Sequence, residues 1–145
     1  MKITFTDSET GKQTTFLSTG DATSKSFQSV YNNFEDYIDC DILSMAHHGG
    51  SVGSHYLYGV SSTYTSDAYT AVSPQLALWP MGALRLMSVY KSQKDVADIL
   101  FGLPSMKEVF AAGHIGDVTV VPLPYVVGTT VGPYEWDIAK AMLKK

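Results

Sequence analysis

Cysteine is almost absent from this chain, since Cys40 is the only one among 145 residues. A single cysteine excludes an internal disulfide and any zinc cluster built from several thiolates. Charged residues are also sparse, at 17% of the chain against 45% hydrophobic residues. Lys and Arg number 10 and Asp and Glu 14, which gives a formal charge of −4. Bulk charge therefore gives no support to nucleic-acid binding.

Long apolar runs are missing as well. No stretch approaches the roughly 18 apolar residues that indicate a membrane span, and the first residues lack the apolar core of a signal peptide. Length and composition instead fit a single domain over residues 1–145 with a hydrophobic core of its own. We expect a cytoplasmic chain, or an extracellular one if the domain is excised from a longer protein.

The N-terminal residues predict a β-hairpin. Lys2–Thr6 and Gln13–Ser18 are rich in β-branched and aromatic residues, and the polar segment Asp7–Lys12 between them contains Gly11. Further apolar segments predict four more strands: Asp41–Ala46, Gln75–Trp79, Lys107–Ala112 and Asp117–Leu123.

A helix is predicted between the second and third of these strands. Its apolar residues recur at three- and four-residue spacing, which places them on one face that we expect to pack in the core: Phe27, Val30, Tyr31, Phe34, Tyr37 and Ile38. Thr23 or Ser24 is a suitable N-cap. Further helices are predicted at Gln93–Phe101 and Tyr134–Lys145. The segment Gly49–Ser73, rich in Ser, Tyr and Gly, predicts a long loop whose tyrosines cover the sheet.

Polar residues follow two strands that the predicted helix connects. Gly20-Asp21 follows the first strand and His47-His48 follows the second. Strands joined in this way tend to be parallel, so their C-terminal ends meet at one edge of the sheet, where ligands bind in α/β folds. Zinc, manganese and iron are bound by carboxylate and imidazole groups. Each motif also has an ordinary interpretation, as a turn or helix cap for Asp21 and as a polar loop for the histidines.

These strings carry a resemblance to a known family. LSTGD, then a helix, then CDILSMAHHGG resembles the second half of the metallo-β-lactamase superfamily. The likeness is to the branch that includes the soluble domain of ComEC-type competence proteins and the phosphorylcholine esterases, and it covers roughly Ile3 to Pro122. It implies an α/β fold that is half of an αββα sandwich, with a mixed sheet and helices on one face. It also implies that Asp21 and His47 are metal ligands and that His48 is catalytic, although either histidine can be the one that faces the metal.

The chain departs from the family pattern at two points. It has no HxHxDH motif, which belongs to the preceding half of the sandwich and would lie before Met1. A Tyr-Gly-His-Pro string of the competence branch is replaced by Val89–Gln93, which has no histidine. His55 and His114 are interpreted as a surface residue and a structural turn residue.

The resemblance implies metal-dependent hydrolysis, most plausibly of a phosphoester, by a complete enzyme of which this chain is an incomplete or inactive part. The cofactor would be a divalent metal, zinc ahead of manganese or iron, held weakly or not at all by this chain alone. The expected partner is the missing N-terminal half or a second copy that covers the sheet face, unless the Gly49–Ser73 loop or the C-terminal helix covers that face. The alternative is a non-catalytic structural or interaction domain.

Overall fold

The structure is a computed structural model that describes residues 1–22, 24–45, 63–78 and 102–110. Within these ranges, five strands form one sheet: β1 (Lys2–Thr6), β2 (Gln13–Ser18), β3 (Ile42–Ser44), β4 (Leu76–Leu78) and β5 (Glu108–Phe110). Two α-helices accompany them, α1 (Ser24–Phe34) and α2 (Thr63–Val72), and a 3₁₀ turn (Glu35–Tyr37) directly follows α1. The order of the strands across the sheet is their order along the chain.

The predicted hairpin is confirmed with its predicted bounds. β1 and β2 are antiparallel, with Ile3 opposite Phe16. The Asp7 carboxylate stabilises the turn by accepting hydrogen bonds from the backbone N–H groups of Glu9 (2.8 Å) and Thr10 (3.0 Å). The N–H of Thr10, followed by that of Glu9, lowers the pKa of the Asp7 carboxyl. Gly11 supplies the left-handed backbone of this turn, at a φ of 69°.

The remaining strands are parallel, which makes the sheet mixed. β2 pairs with β3, β3 with β4, and β4 with β5, so that the last residues of the four strands lie in one row: Ser18, Ser44, Leu78 and Phe110. The strand–helix–strand prediction for β2, α1 and β3 is therefore confirmed. The strands β3, β4 and β5 each begin one residue later than predicted, and the predicted strand residues 46, 79 and 111–112 lie outside the described residues.

The central strands are buried on both faces. Neighbouring residues of a strand point to opposite faces, so Ile42 and Leu43, at 3% and 0% exposure, show that both sides of β3 are covered. One face carries the buried cluster Ile42, Leu76 and Phe110, against which Phe16 and Leu78 pack. The other face carries Leu43, Ala77 and Val109, all buried. Burial on both sides is the usual environment of parallel strands.

Helix α1 buries less of its apolar face than the spacing predicted. Phe27 and Ile38 are each 4% exposed, but Val30, Phe34 and Tyr37 are 39%, 54% and 72% exposed. The α-helix ends at Phe34, whose φ is −140°, and the next turn is a 3₁₀ turn with about three residues per turn. That change of period displaces Tyr37 from the face that α-helical spacing assigned to it. The prediction that all six apolar residues are core is wrong for these three.

Helix α2 occupies part of the segment that was predicted to be a loop. Its buried residues are Ala68, Tyr69 and Val72, spaced as on one helix face. Tyr69 is fully buried. The backbone N–H of Cys40 donates to the Val72 carbonyl (2.9 Å), which holds the end of α2 beside the start of β3.

Several predicted elements lie outside the described residues: the N-cap Thr23, the helices Gln93–Phe101 and Tyr134–Lys145, and the strand Asp117–Leu123. Neither α1 nor α2 is long and apolar enough to cross a membrane, and the same is true of every helix in the described ranges.

Candidate functional site

The C-terminal ends of β2 and β3 lie side by side. Ser18 is in register with Ser44, and the Thr19 hydroxyl donates a hydrogen bond to the Ser44 carbonyl (2.9 Å) one residue beyond the ladder. On the other side of β3, the Met45 N–H donates to the Leu78 carbonyl (3.0 Å). The chain leaving β2 and the chain leaving β3 therefore depart from neighbouring points on one side of the sheet. We call this side, defined by Thr19, Gly20, Asp21 and Ser44, the Asp21 edge.

A tight turn presents Asp21 at this edge. The Ala22 N–H donates to the Thr19 carbonyl (3.1 Å), and Gly20 adopts a left-handed φ of 54°. Asp21 is exposed, and no residue in the described part of the chain makes a hydrogen bond or ion pair with its carboxylate. Asp21 is thus a turn residue, in agreement with its ordinary interpretation. Within the described residues, both of its carboxylate oxygens are available to a ligand.

The two histidines lie outside the described residues, as do His55 and His114. The register nevertheless relates the chain positions, because Asp21 comes three residues after Ser18 and His47 comes three residues after Ser44. Within the described ranges, no group of three or more His, Cys, Asp or Glu residues could hold a metal ion. Asp21 and His47 as metal ligands and His48 as catalytic residue remain predictions.

The opposite ends of these strands, where β3 and β4 begin, carry a polar network that was not predicted from the sequence. One Asp41 carboxylate oxygen accepts hydrogen bonds from the Thr15 N–H (2.8 Å) and the Thr15 hydroxyl (3.0 Å). The other oxygen accepts from the Gln75 side-chain amide (2.9 Å). The Asp41 carbonyl in turn accepts from the backbone N–H groups of Gln75 and Leu76, both at 2.9 Å. We call this side, defined by Thr15, Asp41 and Gln75, the Asp41 edge.

The Asp41 edge continues to the last described strand. The Gln75 carbonyl accepts from the backbone N–H groups of Lys107 (2.8 Å) and Glu108 (3.0 Å), which lead into β5. One aspartate and one glutamine therefore connect four parallel strands. The available sequence signal was a polar residue directly before each of two apolar strands, Asp41 before β3 and Gln75 before β4.

Cys40 lies next to this network. Burial, followed by the negative charge of Asp41, raises the pKa of its thiol to about 12. The thiolate is the form of cysteine that attacks electrophiles and binds metals. In the folded protein this thiol is therefore protonated at neutral pH.

Comparisons with known proteins add no family to this geometry. No protein-family model matches the chain, and neither a curated protein nor a solved structure matches it. The likeness to the metallo-β-lactamase superfamily consequently rests on the residues of the two strings alone.

Proposed function

We propose that this chain is a metal-dependent hydrolase-like domain that supplies part of a site for phosphoester hydrolysis. The observation that carries the proposal is the hydrogen bond between the Thr19 hydroxyl and the Ser44 carbonyl, at the end of the parallel pair β2 and β3. It fixes the departure points of the two segments that contain Gly20-Asp21 and His47-His48. These departure points are at the C-terminal ends of parallel strands, where α/β folds bind their ligands.

Each residue of the proposed site has a chemical role. The Asp21 carboxylate and the His47 imidazole would hold the metal, and this mixed oxygen and nitrogen set fits zinc. His48 would transfer a proton at the substrate, because adjacent residues point in different directions and only one imidazole faces the metal. When bound, a divalent metal lowers the pKa of its water and stabilises the negative charge that develops during hydrolysis.

The proposed architecture is half of an αββα sandwich. The connections from β2 to β3 and from β3 to β4 advance in the same direction across the sheet, and right-handed crossovers then put α1 and α2 on the same face. The cluster of Ile42, Leu76 and Phe110 on one face of the sheet is already buried within this chain. In the full sandwich the other half of the fold would pack against the face of the sheet that the helices do not cover.

Ligand number makes the proposed site incomplete. A catalytic zinc takes about three protein ligands, whereas Asp21 and His47 provide two. We therefore propose that this chain alone binds one zinc ion at most, and weakly, and that the remaining ligands come from an N-terminal half or from a partner chain.

A zinc titration followed by calorimetry tests the proposal. Asp21→Ala should lower zinc affinity at least tenfold, since second-shell changes alone cost about 10- to 100-fold. The free energy of unfolding should change by less than about 0.5 kcal/mol, because Asp21 is exposed. Asp36→Ala is the matched control, as it removes another exposed carboxylate and should leave zinc binding unchanged.

Two outcomes would contradict the proposal. Equal zinc affinity in Asp21→Ala and the unmodified chain would remove Asp21 from the site. Two zinc ions retained per chain after dialysis would show that the site is complete, against the ligand count.

The competing proposal is a non-catalytic interaction domain. The exposed apolar side chains of Val30, Phe34 and Tyr37 in α1 and the turn that follows favour it, since exposed apolar surface is typical of interaction sites. Absence of zinc binding in both the unmodified chain and Asp21→Ala would make this the better supported function.

A further inference from the structure

Strand β1 is the outermost of the described strands. The hydrogen bonds at its two ends show which of its residues bond to β2. The Met1 nitrogen donates to the Ser18 carbonyl (2.7 Å) and the Ser18 N–H donates to the Met1 carbonyl (2.8 Å). At the other end, the Asp7 N–H donates to the Lys12 carbonyl (2.9 Å). Hydrogen-bonded pairs alternate with non-bonded pairs along an antiparallel ladder. Odd-numbered residues of β1 therefore bond to β2, and even-numbered residues direct their backbone groups away from it.

The outward-directed residues are Lys2, Thr4 and Thr6. All three are exposed, and no residue in the described part of the chain pairs with their outward N–H and C=O groups. Unpaired edges of this kind accept an additional strand, through main-chain hydrogen bonds that give affinity and side chains that give specificity.

We propose that the additional strand is β1 of a second copy of this chain, antiparallel to the first about a two-fold axis at Thr4. In this register Thr4 of one copy lies opposite Thr4 of the other, and Lys2 lies opposite Thr6. Every outward N–H then meets an outward C=O, and no like charges are placed opposite one another. The two five-stranded sheets become one continuous sheet.

The side chains of β1 suit this occupant better than an unrelated peptide. Lysine commonly protects an edge strand, but the Lys2 ammonium is held by Asp39 (2.8 Å) and by the Tyr37 carbonyl (3.1 Å) of its own chain. On the other face of β1, Ile3 and Phe5 are only half-buried. The two-fold register pairs Ile3 of one copy with Phe5 of the other at a non-hydrogen-bonded position, where side chains approach most closely.

Hydrogen exchange and sedimentation velocity test the dimer on the full chain. We expect a dimer that dissociates on dilution. In the dimer the amides of Lys2, Thr4 and Thr6 should be protected, and on dilution these should exchange while those of Ile3 and Phe5 stay protected by β2. This inference uses only the hairpin, so it stands or fails separately from the proposed metal site.

Substitutions at Thr4 provide the matched comparison. Thr4→Pro removes an N–H that the hairpin does not use, and edge strands tolerate proline at such positions, so it should raise the dimer Kd at least tenfold. Thr4→Lys keeps the N–H but places two positive charges at the axis, and it should weaken the dimer most at low salt. Thr4→Val keeps both backbone groups and should leave the Kd unchanged.

Three results would overturn the proposal. The first is a chain that stays monomeric at every concentration. The second is a dimer that survives in folded Thr4→Lys, even if Thr4→Pro fails to fold. The third is protection without the alternation between even and odd residues of β1.

Discussion

An aspartate lies at each end of the parallel strands, and the two aspartates differ in their hydrogen bonds. At the Asp41 edge, both carboxylate oxygens accept hydrogen bonds, from Thr15 on one side and Gln75 on the other. At the Asp21 edge, the carboxylate is exposed on a glycine turn, and no described residue bonds to it. The Asp41 side chain therefore connects strands at one end of the sheet, whereas the Asp21 side chain is accessible at the other end.

The difference assigns stability to the Asp41 edge and the proposed binding to the Asp21 edge of the same sheet. Hydrogen bonds at the Asp41 edge fix where β3 and β4 begin, so the positions where they end are fixed as well. The turn that carries the proposed metal ligand Asp21 can then be held by few contacts of its own, such as the hydrogen bond from the Thr19 hydroxyl to the Ser44 carbonyl. Stability and binding would be separable by mutation, which the following substitutions examine.

The largest effect should come from Asp41→Ala. It removes the acceptor of three part-buried donors, the Thr15 N–H, the Thr15 hydroxyl and the Gln75 amide. A buried donor left without an acceptor costs about 1–3 kcal/mol, so the free energy of unfolding should fall by about 3 kcal/mol or more. Urea denaturation measures this loss.

Asp39→Ala is the matched control for Asp41→Ala. Its side chain is 67% exposed and pairs with Lys2 at the surface, so its removal should cost less than about 1 kcal/mol. Equal losses in the two variants would mean that the Asp41 network contributes no more than a surface ion pair.

Ionisation of Cys40, which precedes Asp41 in the sequence, should lower the stability of the folded protein at alkaline pH. Burial raises its pKa from the ordinary 9.0 to about 12. Between these values the unfolded thiol ionises while the folded thiol stays protonated, so this contribution to stability is complete below about pH 9 and is lost as the pH rises towards 12. At about pH 10.5 the loss should reach about 2 kcal/mol at most, since one pKa unit corresponds to about 1.4 kcal/mol.

Denaturation of the unmodified chain and of Cys40→Ala at the same pH values isolates this contribution from the titration of tyrosine and lysine. The stability of the unmodified chain should fall more steeply with pH than that of Cys40→Ala. Parallel pH profiles would show that burial does not raise the pKa of the Cys40 thiol.

A smaller effect is expected at the Asp21 edge from Gly20→Ala. An added Cβ meets nothing within 4 Å, so the cost comes only from the left-handed φ of 54°, which should amount to about 1 kcal/mol. Gly20→Asn should recover part of it, because Asn tolerates this conformation. Gly102→Ala also meets nothing within 4 Å and has no left-handed φ, so thermal unfolding should show no destabilisation in this control.

Local patterns predicted the elements whose determinants are close in sequence. The hairpin was predicted with its bounds, because both of its strands and the Asp7 turn lie within the first 18 residues. Helix α2 was missed, because serine, threonine and tyrosine concealed the spacing of Ala68, Tyr69 and Val72. The Asp41 network could not be predicted, since Thr15 and Gln75 are 26 and 34 residues away from Asp41.

Only one feature of the candidate site could be predicted from the sequence, namely that the C-terminal ends of β2 and β3 lie side by side. Parallel pairing of β2 and β3 followed from the helix between them, and it is confirmed. Which imidazole would face the proposed metal could not be predicted, because sequence periodicity ends where the strand ends. The exposure of Tyr37 shows the same limit after α1, where the change to a 3₁₀ turn cannot be read from spacing.

Strand order also has a consequence during synthesis on the ribosome. Because β1 to β5 are arranged in the sheet as they are in the chain, each strand finds its partner already made when it emerges. The N-terminal hairpin can form first, and later strands add to one growing edge without insertion between existing strands. Force measurements on translationally arrested chains should then detect successive folding steps as β3 and β4 leave the exit tunnel, whereas a single late step would mean that the sheet waits for its last strand.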